Sequence, residues 1–210
     1  SQPRSRGLGD VYKRQERNIF SVGETHGRIT KRVKKIVEML SFVDSAKPTN
    51  NLWGLRWSKL MVNCMRNPVS AATGLGGNAN DRDPKTRRLA VRIAGEAGRV
   101  GLALGYELGL VYKIEPDLLI AAERGDDQAM AKCEDKLLAN ISFRNDNQRP
   151  SMGQDMLKGR RTEIDYLNGL VVEKALDLGL SVPANMGIAD VVRRIERGEI
   201  GAGPDTISHL

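Results

Sequence analysis

Along most of this chain apolar side chains recur three and four residues apart, the spacing of one helix face, and strand-like alternation is scarce. A short β-like run, Ile19 to Val22, is closed by Gly23. Ile29, Val33, Ile36, Val37, Leu40 and Val43 then predict a helix that starts near Thr30 and is ended by Ser45–Pro48. From Asn51 onward the helical period is almost unbroken. Leu52–Ser70 reads as one long helix with Pro68 perturbing its final turn. Asp83-Pro84, a capping residue followed by proline at the first helical position, opens a second helix that runs to about Leu108. Shorter helices are predicted over about Glu115–Arg124 and Asp126–Asn140. Ile164, Leu167, Val171, Ala175 and Leu178 mark a fifth, stopped by Gly179 and Pro183, and Ile188–Arg197 makes a sixth. Gly98, Gly101, Gly105 and Gly109 fall near one face of the second helix. Each glycine costs about 1 kcal/mol there, so the stripe predicts a backbone packed close against it.

The first 15 residues, SQPRSRGLGDVYKRQ, follow neither period and look like a translated adaptor or assembly scar. The chain therefore divides into residues 1–15, a β-α fragment over 16–50, a helical domain over 51–200 and a flexible tail over 201–210. A lone strand and helix cannot make a sheet domain, so the fragment reads as the end of a larger α/β domain. The fold class is mainly α.

Composition narrows the chemistry. Apolar residues make up 40% and charged residues 28% of the 210, as in a globular protein, and with 4% aromatics the core must be aliphatic and methionine-rich. No run approaches the length of a membrane helix, and no leader opens the chain. Cys64 and Cys133 stand far apart without a CxxC pair, which excludes a disulfide framework or zinc ribbon, leaves no metal site, and favours the cytoplasm. The net charge is +7, but ten of the 33 basic and three of the 26 acidic residues lie in residues 1–35, leaving 23 of each in the remainder. Neither a nucleic acid nor a membrane is an expected partner, and the Arg28–Lys35 cluster reads as a solvated helix face.

Two constellations carry the candidate chemistry. Within Trp57–Pro68, Lys59, Asn63 and Asn67 fall at i, i+4 and i+8, within about 80° on one helix face. A cation and two amides from successive turns can hold an oxygen-rich small molecule; the competing reading is a solvated polar stripe. The second constellation runs from Ser151 to Asp155 and from Gly159 to Gly169, behind the polar loop Arg144–Pro150. Locally, Ser151 with Gln154 reads as a capping box, and Thr162 as a cap whose helix carries Glu163 at its positive end. Gly74–Ala79 fits a loose dinucleotide pattern but follows a helix, so it reads as a turn leading into a loop at Asn80–Pro84. His26 and His209 are isolated.

Together these segments, over about residues 19–200, resemble the ketopantoate reductase (2-dehydropantoate 2-reductase) family. The pattern W-x-K-L-x-x-N-x-x-x-N-P is matched from Trp57 through Pro68, and S-M-x-x-D followed by G-R-x-T-E-I-D-x-x-N-G from Ser151 through Gly169. The resemblance implies an all-helical C-terminal domain preceded by a remnant β-α element of a truncated Rossmann-type α/β domain. It implies that Lys59 is the general acid toward a 2-oxo acid, that Asn63 and Asn67 bind the substrate's polar groups and Ser151 its carboxylate, and that Glu163 contacts the nicotinamide end of NADPH. Ketopantoate is the leading substrate, and the resemblance also allows a homodimer. The family's glycine-rich phosphate loop has no counterpart, so this chain alone is expected not to turn over. A further family asparagine falls opposite Gly77, beside Asn78. The glycine stripe and the missing loop also admit a non-catalytic helical interaction or oligomerisation module.

Overall fold

The computed structural model describes residues 20–143 and 148–210; the scar-like segment 1–15, Ile19 and the first four residues of the Arg144–Pro150 loop lie outside them. Two compact units divide at Leu52. In the first, β1 (Phe20–Val22) pairs in parallel with β2 (Ala46–Pro48), and α1 (Lys31–Ser41) connects them. Ser45–Pro48 was expected only to end the helix. It forms a strand because the Ser45 carbonyl accepts from Phe20 N and the Val22 carbonyl from Thr49 N, both at 2.8 Å, so the fragment is β-α-β. Thr30 caps α1 by accepting from Val33 N at 3.2 Å. Glu24 accepts from Arg32 and from Thr30 Oγ1, and these bonds, Arg32 foremost, hold its carboxyl below the ordinary range. The basic residues of α1 are exposed, as a solvated face requires.

The second unit is helical: α2 (Leu52–Thr73), α3 (Gly77–Arg82), α4 (Pro84–Ala103), α5 (Pro116–Glu123), α6 (Asp127–Ala139), α7 (Ser151–Leu157), α8 (Asn168–Asp177) and α9 (Pro183–Glu196). Short 3₁₀ turns stand at Ile141–Phe143, Ile164–Tyr166 and Pro204–Ile207. The central helix is α4, against which α5, α6, α8 and α9 pack. The largest fully buried side chains include Met61, Met65, Ile93, Leu119, Leu137, Ile164 and Ile188, an aliphatic and methionine core as the composition demands. Asp83 caps α4 through Thr86 N at 2.8 Å, and the helix stops short of Leu108 because Gly105 turns left-handed at φ +79. The close-packed glycines are therefore Gly95, Gly98 and Gly101. A Cβ on Gly95 would lie 2.5 Å from Leu119 O, and one on Gly101 2.4 Å from Trp57 Cδ1. Trp57 uses that approach to donate from Nε1 to Ala97 O at 2.8 Å.

Three further departures have tertiary causes. Gly77–Arg82 is a helix, not a loop, because Asp81 pairs with Arg66 and Asn80 accepts from Thr73 Oγ1 at 2.9 Å, which offsets the poor helix propensity of its residues. The last long helix begins at Pro183, five residues before Ile188, because the carboxylate of Glu96 on α4 accepts from Ala184 N and Asn185 N, each at 2.8 Å. The expected flexible tail is fastened: Gly203 N and Thr206 Oγ1 both donate to Ala72 O, Arg92 donates to Leu210 O, and Ile207 is buried. Ala72 O is one of the carbonyls that the end of α2 leaves without an intrahelical donor.

Pro68 sits buried inside α2 and lacks the N–H that would reach Cys64 O. Asn168 Nδ2 supplies that donor from α8 at 3.3 Å, and it also donates to Asn185 Oδ1 at 3.0 Å; Asn185 Nδ2 in turn donates to Glu96 Oε2 at 2.8 Å. A continuous polar chain thus crosses the core from α2 through α8 and α9 to α4. Both cysteines are buried and free, and burial pushes the thiols up, Cys133 to about 11.

Burial of Glu96 raises its carboxyl above the usual value, against the pull of its bonds from Ala184 and Asn185. An acid with a raised folded-state pKa contributes stability that is fully present below its unfolded pKa and is lost as pH rises through the folded value. In urea unfolding between about pH 4 and pH 8, the advantage of the native chain over Glu96→Gln should therefore shrink with rising pH; an advantage that grows would contradict this. Glu96→Ala orphans buried donors and should cost about 3 kcal/mol.

Candidate active site

Lys59, Asn63 and Asn67 line one pocket of about 210 Å³ along α2. Val62, Arg66, Gly77, Asn78, Tyr112, Gln148, Arg149 and Pro150 complete its wall. Among the described residues, three cations and four amides therefore face a small volume that no carboxylate lines. Asn63 and Asn67 are half-buried and Lys59 is exposed. Among the described residues, none of these three side chains makes a hydrogen bond or ion pair with the protein. That is unlike a helix-stabilising stripe, whose side chains pair with one another.

The pocket floor is rigid. Arg66 is buried, pairs with Asp81, donates from Nη2 to Gly77 O at 3.1 Å, and lies 5.1 Å from the centroid of the Tyr112 ring. Tyr112 reaches that place through an unusual turn. Val111 and Ile114 exchange two backbone bonds of 2.9 Å, which leaves Tyr112 at φ 53 and Lys113 at φ 62. Two successive left-handed residues without glycine or asparagine are costly, and such strain is characteristic of functional sites. Lys136 Nζ, donating to Lys113 O at 3.0 Å, helps to hold the turn.

The opposite wall comes from the segment ahead of α7. Gly77 N donates to Gln148 O at 3.2 Å, and Arg149 donates to Gly74 O. No capping box forms: Pro150 stands at the N-cap, Ser151 is the first helical residue and is exposed, and Gln154 Nε2 reaches Arg149 O at 2.9 Å. Ser151 follows the lining residue Pro150 but does not itself line the pocket. Thr162 is not the cap: its Oγ1 accepts from Ile164 N at 3.3 Å, but Glu163 stands at the N-cap of the following 3₁₀ turn, exposed and away from this lining. The structure thus gathers Lys59, Asn63 and Asn67, and leaves Ser151 and Glu163 outside the pocket wall. Sequence reasoning missed Arg66, Tyr112, Gln148 and Arg149. Only Arg66 carried a legible sign, standing between Asn63 and Asn67 one turn from the first.

A larger hollow, about 770 Å³, lies among α2, α7 and α9. Its arginines face carboxylates: Asp165 accepts from Arg193 at 2.8 Å and lies 3.5 Å from Arg161. The electropositive chemistry is in the smaller pocket. Among the described residues no group of acidic, cysteine and histidine side chains could hold a metal, and no helix is long and apolar enough to cross a membrane.

Fold and pocket together define a helical domain with a cationic, amide-rich cleft. The chain belongs to the ketopantoate reductase PanE/ApbA family: residues 51–196 match the model of that family's C-terminal domain. The chain is 27% identical over 178 residues to the 2-dehydropantoate 2-reductase of Archaeoglobus fulgidus, covering 84% of this chain and 52% of that protein. A PanE/ApbA family ketopantoate reductase from Ralstonia eutropha JMP134 superposes with a TM-score of 0.65 at 27% identity, over 87% of this chain and 53% of that one. D-mandelate dehydrogenase, solved with NADH, has a TM-score of 0.65 at 21% identity, covering 85% and 54%, and shares the fold. The chain spans about half the length of the curated relatives it matches.

Gly153 sets the distance between α7 and α2, since a Cβ there would lie 2.6 Å from Ser70 Oγ and 3.1 Å from Arg149 Cγ. Gly153→Ala should cost about 1–3 kcal/mol in unfolding free energy. Adding Ser70→Ala should restore part of the loss, and a double mutant whose losses simply add would refute this contact.

Proposed function

We propose that the protein carrying this chain reduces a 2-oxo acid, ketopantoate foremost, with NADPH, and that this chain supplies the substrate pocket and the proton donor. The observation that carries the reading is the triad Lys59, Asn63 and Asn67, uncommitted among the described residues, in a pocket that three cations and none of the described carboxylates line. A 2-oxo acid brings to it one negative charge and three oxygens. In this reading Lys59 donates a proton to the ketone oxygen as that oxygen gains charge, and its ammonium stabilises the developing alkoxide. Asn63 and Asn67 donate to the substrate's remaining oxygens, and Asn78 serves beside Gly77 where the family has an asparagine. Ser151, at the start of α7, meets the carboxylate.

The described residues do not themselves form a dinucleotide cradle. After β1 the chain enters Gly23-Glu24, and the Glu24 carboxylate bonds Thr30 Oγ1 at 2.7 Å just ahead of α1. A phosphate cradle needs open N–H groups there, not a carboxylate. When bound, the dinucleotide would supply the hydride. Glu163, exposed before its 3₁₀ turn, is the one residue here assigned to its nicotinamide end.

The alternative of a non-catalytic module rested partly on an open glycine stripe. Of its glycines, Gly98 and Gly101 are consumed inside the fold against Met61, Ile120 and Trp57, and Gly105 and Gly109 lie beyond the end of α4. That feature no longer favours a docking face.

The test uses the polypeptide that joins this chain to a complete nucleotide-binding domain, following NADPH oxidation across a panel of 2-oxo acids. General acid help is worth about 10² to 10⁴ in rate. Lys59→Ala should therefore lower kcat about a thousandfold, with the lost charge contributing to the same fall. Asn63→Ala should chiefly raise KM. Near-normal kcat in Lys59→Ala would return the lysine to a solvated stripe.

A further inference from the structure

We infer that Arg149 selects for a free carboxylate in this pocket, so that the site accepts 2-oxo acids and rejects neutral 2-oxo amides of the same shape. The inference deepens the proposed function and rests on it. Of the three cations that line the pocket, Arg66 is already neutralised, since its partner Asp81 is as deeply buried as it is and Gly77 O takes a second arm. Lys59 is assigned to the ketone oxygen. Arg149 remains: it is half-buried, lines the pocket, and among the described residues its side chain meets no carboxylate.

Its geometry is that of a prepared arm. Arg149 Nη1 donates to Gly74 O, and a carbonyl orients a guanidinium without cancelling its charge. The stem runs over Gly153, where a Cβ would lie 3.1 Å from Cγ and 3.4 Å from Cδ. The backbone on either side is tied down, with Arg149 O accepting from Gln154 Nε2 at 2.9 Å and Gln148 O accepting from Gly77 N at 3.2 Å. A guanidinium has five donors, and one bond to Gly74 leaves a fork for a carboxylate. Holding the arm beforehand spares the ligand the entropy of ordering it. Ser151, a neutral hydroxyl, can bond an amide as readily as a carboxylate; the discrimination needs the charge.

The experiment titrates the 210-residue chain with 2-oxobutanoate and with 2-oxobutanamide, reading Kd by NMR for the native chain, Arg149→Gln and Arg149→Lys. The native chain should prefer the acid. Arg149→Gln should weaken the acid about ten- to a hundredfold, the range for losing a hydrogen bond to a charged group, and leave the amide within about twofold. Arg149→Lys should recover part of the acid affinity, because it restores the charge without the fork. Equal weakening of acid and amide would make Arg149 a shaping residue only and overturn the inference, as would undiminished acid binding by Arg149→Gln. If the native chain binds neither probe, the 2-oxo-acid reading of the pocket falls and this inference with it.

Discussion

The helical unit is organised around one buried carboxylate. Glu96 sits in the middle of α4, nearly inaccessible to water, and faces the first turn of α9. An unpaired carboxylate there would be prohibitive, and the start of α9 would leave its own N–H groups unsatisfied. Each solves the other's problem. Asn185 then carries the connection to Asn168, and Asn168 to the Cys64 carbonyl that Pro68 leaves without a donor. The cost of a proline in α2 is thus met from α8, and α2, α4, α8 and α9 are held in one register by polar bonds that tolerate little displacement.

This arrangement bears directly on the pocket. Asn67 is the residue before Pro68, and Asn63 the one before Cys64, so the helical turn that presents both amides is the turn that Asn168 repairs. The two sequence signatures are linked here through structure: Asn168, near the end of the second, supports the backbone of the first. Some of the residues in those signatures therefore hold the site in place, and others form it. The remaining walls are also prepared in advance, by the strained Val111–Ile114 turn that seats Tyr112 on Arg66, and by Gly153, which lets α7 lie against α2. A pocket built this way presents its donors without reorganisation when the ligand arrives.

The pocket's sign matters as much as its shape. Among the described residues only Arg66 of its three cations is paired, with Asp81, whereas in the larger hollow beside α7 the lining carboxylate of Asp165 takes both Arg161 and Arg193. Volume alone favours the larger hollow, whereas uncommitted donors favour the smaller pocket.

Periodicity made the long helices legible, because a buried stripe must recur every three to four residues wherever a helix packs on a core. The cap at Asp83 and the stop at Gly179 are equally local, and so is the shared face of Lys59, Asn63 and Asn67, which follows from helix geometry alone. Other features depend on partners distant in the chain. The start of α9 waits on Glu96, α3 on Arg66, the end of α2 on Gly203 and Thr206, and the second strand on β1. Arg149 and Tyr112 enter the pocket only because Gly74, Gly153 and Arg66 lie where they do. By itself the sequence determined where apolar faces run and which polar residues share a helix face, since both depend on a repeat of 3.6 residues. The tertiary structure alone decided which buried polar groups meet and which donors stay free for a ligand, because those outcomes require every hydrogen-bonding group in the core to find a partner at once.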